Sequence, residues 1–445
     1  MSTPHSSPTS REPAPGTRNS STNRNKNTSI RPDQETGRLL SALCGSPALG
    51  EEAAEALLAR AIWSRLAEPG DAVAGELVTL LGPVNALDLL MLSNPVQALL
   101  RGLAALEKGS LEVSARQLSA GVKRWRPRLD RSATVRDLEA AVRAEMTLVA
   151  PESPLWPEQL ADLGHHAPHV LWVRGSAREL STPGLAVVGA RACTGYGSHV
   201  TAELTGEACA AGFSIVSGAA YGIDAVAHRT ALATGATTIA VLAGGADRVY
   251  PAAHDQLLTR IAEQGAICSE LVPGAAPTRW RFLQRNRIIA ALSRAVLVTE
   301  AGVRSGTLNT AGHAAELARA VGAVPGPITS AASAGCHRIV REYGATLITN
   351  GAELRELLGV EPEDPFHNAA DGASAGSNRT PSLHLRVLDA LPLRGDRSTA
   401  DTAVRAGVSV EETANTLAEL ELLRYVARVE SQPDSVTRWR LLRRE

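Results

Sequence analysis

Apolar positions fall into three regimes along the chain. From residue 35 to about residue 150 they recur at spacings of three and four, as in EEAAEALLARAIWSRLA (Glu51–Ala67) and GPVNALDLLML (Gly82–Leu92). That spacing puts one stripe on a helix, and Gly-Pro and Asn-Pro breaks cut it into short helices, so a small all-helical domain is predicted over 35–150. From 151 to 360, short β-branched runs alternate with Ala-rich helical stretches. The predicted strands are Val170–Val173, Leu185–Gly189, Ser214–Ser217, Thr238–Leu242, Ala266–Ser269, Ala295–Thr299, Gly322–Val324 and Thr346–Ile348. Near-continuous apolar strands alternating with helices predict an α/β fold, a Rossmann-like doubly wound parallel sheet covered on both faces.

Two polar stretches frame these regions. Residues 1–34 hold Ser, Thr, Pro, Asn and Arg with almost nothing to bury, and 361–382 are rich in Gly, Ala, Ser, Asn and Asp. The first is expected to be disordered and the second to be a flexible linker. Over 383–445 the order is helix (LHLRVLDAL), helix (STADTAVRAG), helix (SVEETANTLAELELL), then two short strands (RYVARVE, VTRWRLL). With Gly407 at the second helix–helix turn, this order suits a winged helix. Its presumed recognition helix, Val410–Leu423, carries Glu411, Glu412, Glu419 and Glu421 and no basic residue, so phosphates would be repelled there. A protein-contact or regulatory role is expected for it, with Arg438, Arg440, Arg443 and Arg444 leaving a minor DNA role open.

Composition narrows the function. A net charge of −1 gives no global attraction to nucleic acid, so such binding must rest on local patches. The five cysteines are scattered and contain no CxxC pair, which points to a reducing, cytoplasmic setting and away from a zinc site. No apolar run approaches the roughly 20 residues that span a bilayer, and the N-terminus lacks the apolar core of a secretory signal.

Candidate chemistry gathers at the strand ends. The expected loops are GARACTGYG (Gly189–Gly197), SGAAYGIDAVAH (Ser217–His228), AGGADRVYP (Ala243–Pro251), SELVPG (Ser269–Gly274) and EAGVRSGTLNTA (Glu300–Ala311). In a doubly wound sheet these converge on one rim, where glycines let backbone N–H groups approach an anion. Ser305, Gly306 and Thr307 open a helix and form a phosphate seat, or Ser305 or Thr307 is a simple N-cap. WRFLQRNR (Trp280–Arg287), with Arg279 before it, sets Arg281, Arg285 and Arg287 among Trp280, Phe282 and Asn286. Cations neutralise phosphates and aromatic faces stack unpaired bases, so this stretch is read as a binding site in or beside a loop at the sheet edge. The alternative is an arginine-rich helix start packed on the protein's own carboxylates. A second basic cluster surrounds a Trp at Lys123–Arg128 (KRWRPR), which a solvated helix end explains equally well.

Other chemistries find less support. Gly195 and Gly197 only superficially match a dinucleotide fingerprint, and the strand that should supply an acidic ribose ligand ends in Ser217-Gly218. No Walker A lysine is present. Asp224 and His228, four apart, could be an acid–base pair or, more simply, a buried structural hydrogen bond. His165, His166 and His169 have no carboxylate or cysteine beside them to complete a metal site. Neither a cofactor nor a metal is expected.

Together these segments resemble the DprA/Smf family of DNA-processing proteins. The resemblance runs from about Trp156 to Leu354. It is carried by WPEQL with PHVLWVRG, VVGAR with Tyr196-Gly197, SGAAYGIDAVAH, AGGADRVYP and Ser269-Glu270. It continues through FLQRNRIIAALS, TEAGVRSGTLNTA, AVPG and SAGCHRIVREYGA. Leu283, Ala291, His254 and Cys336-His337 depart from the usual family residues. The resemblance implies a Rossmann-like core that binds single-stranded DNA, usually as a homodimer, beside a SAM-like helical N-terminal domain. It also implies loading of the recombinase RecA, displacement of single-strand binding protein, and a role in DNA uptake and natural transformation. Carried onto this sequence, Arg191 would bind phosphate and Phe282 a base. Gly189, Tyr196, Gly197, Ser217, Gly218, Arg279, Arg281, Arg285, Asn286, Arg287, Ser305, Gly306 and Thr307 would line the same rim. The competing expectation is a nucleotide sensor or LOG-like phosphoribohydrolase with Glu270, Glu300 or Asp224 as acid, though its PGGxGT loop is replaced here by VRSGTLNT.

Overall fold

The computed structural model describes residues 30–46, 49–106, 113–360, 382–392, 394–422, 425–429 and 437–442. Most of the tail expected to be disordered, the linker over 361–381, and Arg443 and Arg444 lie outside the described residues. The chain divides after Pro362 into two compact units.

The first unit is organised by a nine-stranded sheet. Its strands are β1 (Met146–Val149), β2 (Leu171–Gly175), β3 (Gly184–Val188), β4 (Ser214–Ser217), β5 (Thr238–Val241), β6 (Ala266–Ser269), β7 (Ala295–Val298), β8 (Ala320–Ala323) and β9 (Thr346–Leu347). They lie in the order β1-β2-β6-β5-β4-β3-β7-β8-β9. From β6 to β9 every neighbouring pair is parallel, whereas β1–β2 and β2–β6 are antiparallel. The sheet is therefore mixed rather than wholly parallel. Strands β3 to β7 are buried along their whole length, which is why they read as unbroken apolar runs instead of alternating ones.

β1 lies where the apolar spacing predicts helix. Its four residues closely follow the helix Arg131–Arg143, and so short an apolar run has no period of its own to distinguish it from a helix end. Between Gln34 and Arg143 the elements are helical, packed around Trp63 and Trp125, whose fully buried rings meet edge-on at 5.5 Å. This helical region and the sheet belong to the same compact unit.

The second unit contains helices Ser382–Asp389, Thr399–Ala406 and Val410–Leu422. A three-stranded antiparallel sheet closes it, with β10 (Arg397–Ser398), β11 (Val426–Val429) and β12 (Arg438–Leu441) in the order β10-β12-β11. Trp439, Leu417, Leu420 and Val387 form its core. Three acidic side chains of the third helix have partners: Glu412 accepts from Ser409 Oγ at 2.6 Å, Glu419 meets His384 at 2.7 Å and Glu421 meets Arg428 at 3.0 Å. Among the described residues no single helix is long and apolar enough to cross a membrane.

Candidate nucleic-acid interface

Strands β6, β5, β4, β3 and β7 are adjacent and parallel, so the five loops that follow them emerge along one edge of the sheet. The chain turns outward in both directions from β3 and β7, and at that switch point doubly wound folds hold a nucleotide. Here it is filled from within. Glu300, just past β7 and 3% exposed, accepts hydrogen bonds from Thr194 N–H (2.8 Å) and Thr194 Oγ1 (2.7 Å) at the start of helix Gly195–Ala210. Ala190 N–H donates to the Glu300 carbonyl at 2.7 Å. A Cβ on Gly197 would come within 2.3 Å of the Glu300 carboxylate, and one on Gly189 within 2.8 Å of its carbonyl. Both glycines serve close approach to Glu300.

The next loop repeats the arrangement. Asp224 is buried, and its Oδ2 accepts from Gly218 N–H (3.2 Å) and Ala220 N–H (3.3 Å). Burial pushes its carboxyl up, while the nearby Arg285 guanidinium pulls it back down. In the loop after β5, Asp247 accepts from Gly274 N–H at 2.9 Å. In these loops the chain's own carboxylates take the N–H groups of Thr194, Gly218, Ala220 and Gly274, and Ser217 Oγ is spent on the Val187 carbonyl at 2.6 Å. The Ser305–Thr307 loop differs. Its hydroxyls bond each other at 2.8 Å and Thr307 N–H bonds Ser305 Oγ, closing a turn just before the helix Thr307–Glu316, whose N-cap is Gly306. Beside it, Arg304 is exposed and makes no ion pair among the described residues. Tyr196, half-exposed, donates its hydroxyl to the Pro325 carbonyl at 2.7 Å.

The arginine stretch lies on a helix beside the loop after β6. Thr278 caps Arg281 N–H, and a helix runs from Arg279 to Ala291. The helix divides its side chains by face. Arg285 and Arg287 are 6% and 3% exposed. Arg285 Nη1 donates to the carbonyls of Gly218 (2.8 Å) and Val241, and burial lowers its pKa to about 10. A Cβ on Gly218 would come within 2.4 Å of that guanidinium, so a side chain there would displace Arg285. Arg287 makes a two-pronged ion pair with Glu270 (2.7 and 2.6 Å) and donates to His166 O. Asn286 ties the helix to the next loop through Gly306 O (3.3 Å) and Asn309 Oδ1 (3.2 Å). Arg281 pairs with Glu68 of the helical region, both nitrogen–oxygen distances being 3.0 Å.

What faces solvent is a smaller set. Phe282 is half-buried, the Arg191 guanidinium lies 5.0 Å from its ring centroid, and Tyr250 meets it at 5.6 Å. Arg191 and Arg279 are exposed and make no ion pair among the described residues. Tyr221 and Tyr250 are nearly half exposed, and Tyr221 rests edge-on against buried His254. Both tyrosines stand inside the glycine-rich loop motifs without being marked there as site residues; an aromatic closing such a loop is the signal that could have found them. Arg279 and Arg281 stand in a helical first turn that holds no acid, where the helix dipole is positive and opposes them. Cations retained at that end suit an anionic ligand.

Asp224 and His228 do not pair. His228 Nδ1 meets Thr238 Oγ1 at 2.7 Å, and that hydroxyl donates to the Ile215 carbonyl, so His228 is the donor there. The three histidines near residue 166 also part: His166 Nδ1 meets the Gly70 carbonyl, while His169 packs on Trp63.

Residues 147–359 match the family described as DNA recombination-mediator protein A. A putative DNA processing protein DprA from Mycobacterium tuberculosis is 39% identical over 396 residues, covering 85% of this chain and 93% of that protein. The chain belongs to the DprA/Smf family. Protein Smf of Escherichia coli is 37% identical, covering 63% of this chain and 75% of its own length. Among solved structures, DNA processing protein A from Streptococcus pneumoniae aligns with a TM-score of 0.53 and 29% identity, covering 67% of this chain and 95% of that one. The resemblance read from the motifs is confirmed, and with it a role in DNA processing as a recombination mediator.

Proposed function

We propose that this family member binds single-stranded DNA along the rim formed by Arg191, Arg279 and Phe282 and loads RecA onto it, displacing single-strand binding protein. It acts by positioning and charge, without catalysis, on strands entering by natural transformation or arising in repair, and it works as a homodimer in the cytoplasm. The observation that carries this reading is Arg191 stacked over a half-exposed Phe282 beside Tyr250, with Arg191 and Arg279 making no ion pair among the described residues. A guanidinium on an aromatic face gives phosphate and base a joint contact. Arg285, Asn286 and Arg287 hold this face in place from beneath. The C-terminal unit is read as a winged helix that contacts protein.

The nucleotide-hydrolase alternative loses support because its candidate acids are engaged. Glu270 holds Arg287, Glu300 holds Thr194, and Asp224 holds Gly218 and Ala220. Fluorescence anisotropy of a labelled single strand, with duplex and free-nucleotide competitors across a salt series, tests the choice. Preference for single strands, with log affinity falling linearly in log salt, is the expected result. Competition by free nucleotides equal to that by oligonucleotides would overturn it. RecA filament formation on strands coated with single-strand binding protein then tests the loading step.

A further inference from the structure

Two basic clusters stand apart in the sequence, Lys123–Arg128 and Arg279–Arg287, and in the fold they meet on one carboxylate. Glu68 Oε1 accepts from Arg128 at 2.9 Å and from Arg281 at 3.0 Å. One negative charge therefore serves two guanidiniums, leaving the junction net positive. The approach is close: Gly70, at φ +75°, lies where a Cβ would strike the Gln284 amide oxygen at 2.3 Å, and the Gly70 carbonyl meets His166. On the helical side, Trp125 is buried with its Nε1 on Asp71, and Arg124 pairs with the same carboxylate at 2.8 Å. Lys123 and Arg126 remain exposed, with no ion pair among the described residues. Trp280 is 57% exposed and lies between Arg279 of the rim and Arg281 of the junction.

We propose that the single strand continues from the rim around the N-terminal end of helix Arg279–Ala291, over Trp280, and onto Lys123 and Arg126 of the helical region. This rests on the single-strand reading above. It makes the helical region part of the binding groove, with Trp280 a second stacking platform on the far side of the helix from Phe282. Residues 280 and 282 are separated by about 200° on the helical wheel, so a strand touching both must cross the positive end of the helix dipole, which favours phosphate.

The test uses the full chain with two oligothymidylates, one of about 5 nucleotides and one of about 20, bracketing the site sizes of single-strand grooves. Trp280 is the one exposed tryptophan of six; the others are buried or half-buried. Saturation with the longer strand should quench intrinsic tryptophan fluorescence, and Trp280→Ala should abolish that change. The double variant Lys123→Ala/Arg126→Ala should bind the short strand normally and the long one less tightly. Its salt slope on the long strand should shrink by ~1.4, at ~0.7 for each phosphate no longer neutralised. Both cations are exposed and make no ion pair among the described residues, so folding is not at risk. An unchanged slope and affinity on the long strand, with Arg191→Ala impaired on both lengths, would overturn the extended path and leave the rim standing. Normal binding of both lengths by Arg191→Ala would overturn the rim itself.

Discussion

Arg287 and Arg279 sit two turns apart on one helix and do opposite work. Arg287 is 3% exposed and fully engaged by Glu270, whereas Arg279 is exposed and makes no ion pair among the described residues. A buried guanidinium keeps its charge only if its donors are satisfied, so its energy goes into holding the fold. An exposed one at a helix N-terminus contributes nothing to the fold and is slightly disfavoured there. In the proposed reading, the buried arginines position the site and the exposed ones, with Arg191, meet the ligand.

The sharpest break of this contrast is Arg287→Ala. It strands the Glu270 carboxylate in a nearly closed environment, and removing one partner of a buried pair costs ~3–5 kcal/mol. Urea denaturation should show that loss, and it should exceed the loss of single-strand affinity in the protein that remains folded. Normal stability with lost binding would reverse the assignment. Next in size is Arg191→Ala, expected to weaken single-strand binding by ~1–3 kcal/mol, with Phe282→Ala in the same range. For Arg191→Ala the unfolding free energy should stay within about 0.5 kcal/mol of the parent, as for an exposed side chain. If it instead unfolds the protein, the rim arginine is structural after all.

The sequence made the sheet legible because β3 to β7 are buried on both faces and carry unbroken apolar runs; Ser214–Ser217 and Ala266–Ser269 are found at their expected limits. It also placed the five loops after these strands on one edge of the sheet. What it could not show is which polar groups satisfy one another. Glu300 and Thr194 are 106 residues apart, and Glu68 and Arg281 are 213 apart, so neither pairing leaves a trace in local spacing. The glycines of the first two loops consequently read as phosphate cradles, when Gly197 and Gly218 make room for a carboxylate and a guanidinium of the chain itself. The helix over the arginine stretch is hard to read because Arg279, Arg281 and Arg285 are interleaved with Trp280, Phe282 and Leu283 and mask the apolar stripe that begins at Ile288.

His228 gives a prediction of pH dependence for the buried side of the comparison. It is fully buried, and burial, with His254 and Arg285 adding repulsion, lowers its pKa from 6.5 to about 3. The native state therefore refuses a proton that the unfolded chain accepts. Its contribution to stability is complete above pH 6.5 and is lost as pH falls from there toward about 3, at up to ~1.4 kcal/mol per pH unit. Urea denaturation across that window should show the slope, and His228→Gln should reduce it whatever its effect at neutral pH. An unaltered slope would mean that His228 titrates normally and is not sealed as described.

The smallest effect decides how far the ligand-facing set extends across the sheet edge. Arg304 lies beyond β7, in the loop whose turn is closed by Ser305 Oγ on Thr307 N–H, while the Arg191 loop on the other side of the switch point is closed by Glu300. If a phosphate rests on the open side, Arg304→Ala should weaken binding of all single-strand sequences alike, by no more than about 1 kcal/mol, because a solvated ion pair is worth little. The diagnostic is the salt series rather than the affinity: with one phosphate fewer neutralised, the slope should fall by ~0.7. A reduced slope with unchanged sequence preference places the Ser305–Thr307 loop on the strand's path. A slope equal to the parent's confines the path to the side of β3 that carries Arg191, Phe282 and Tyr250, and Ser305 then only closes its own turn.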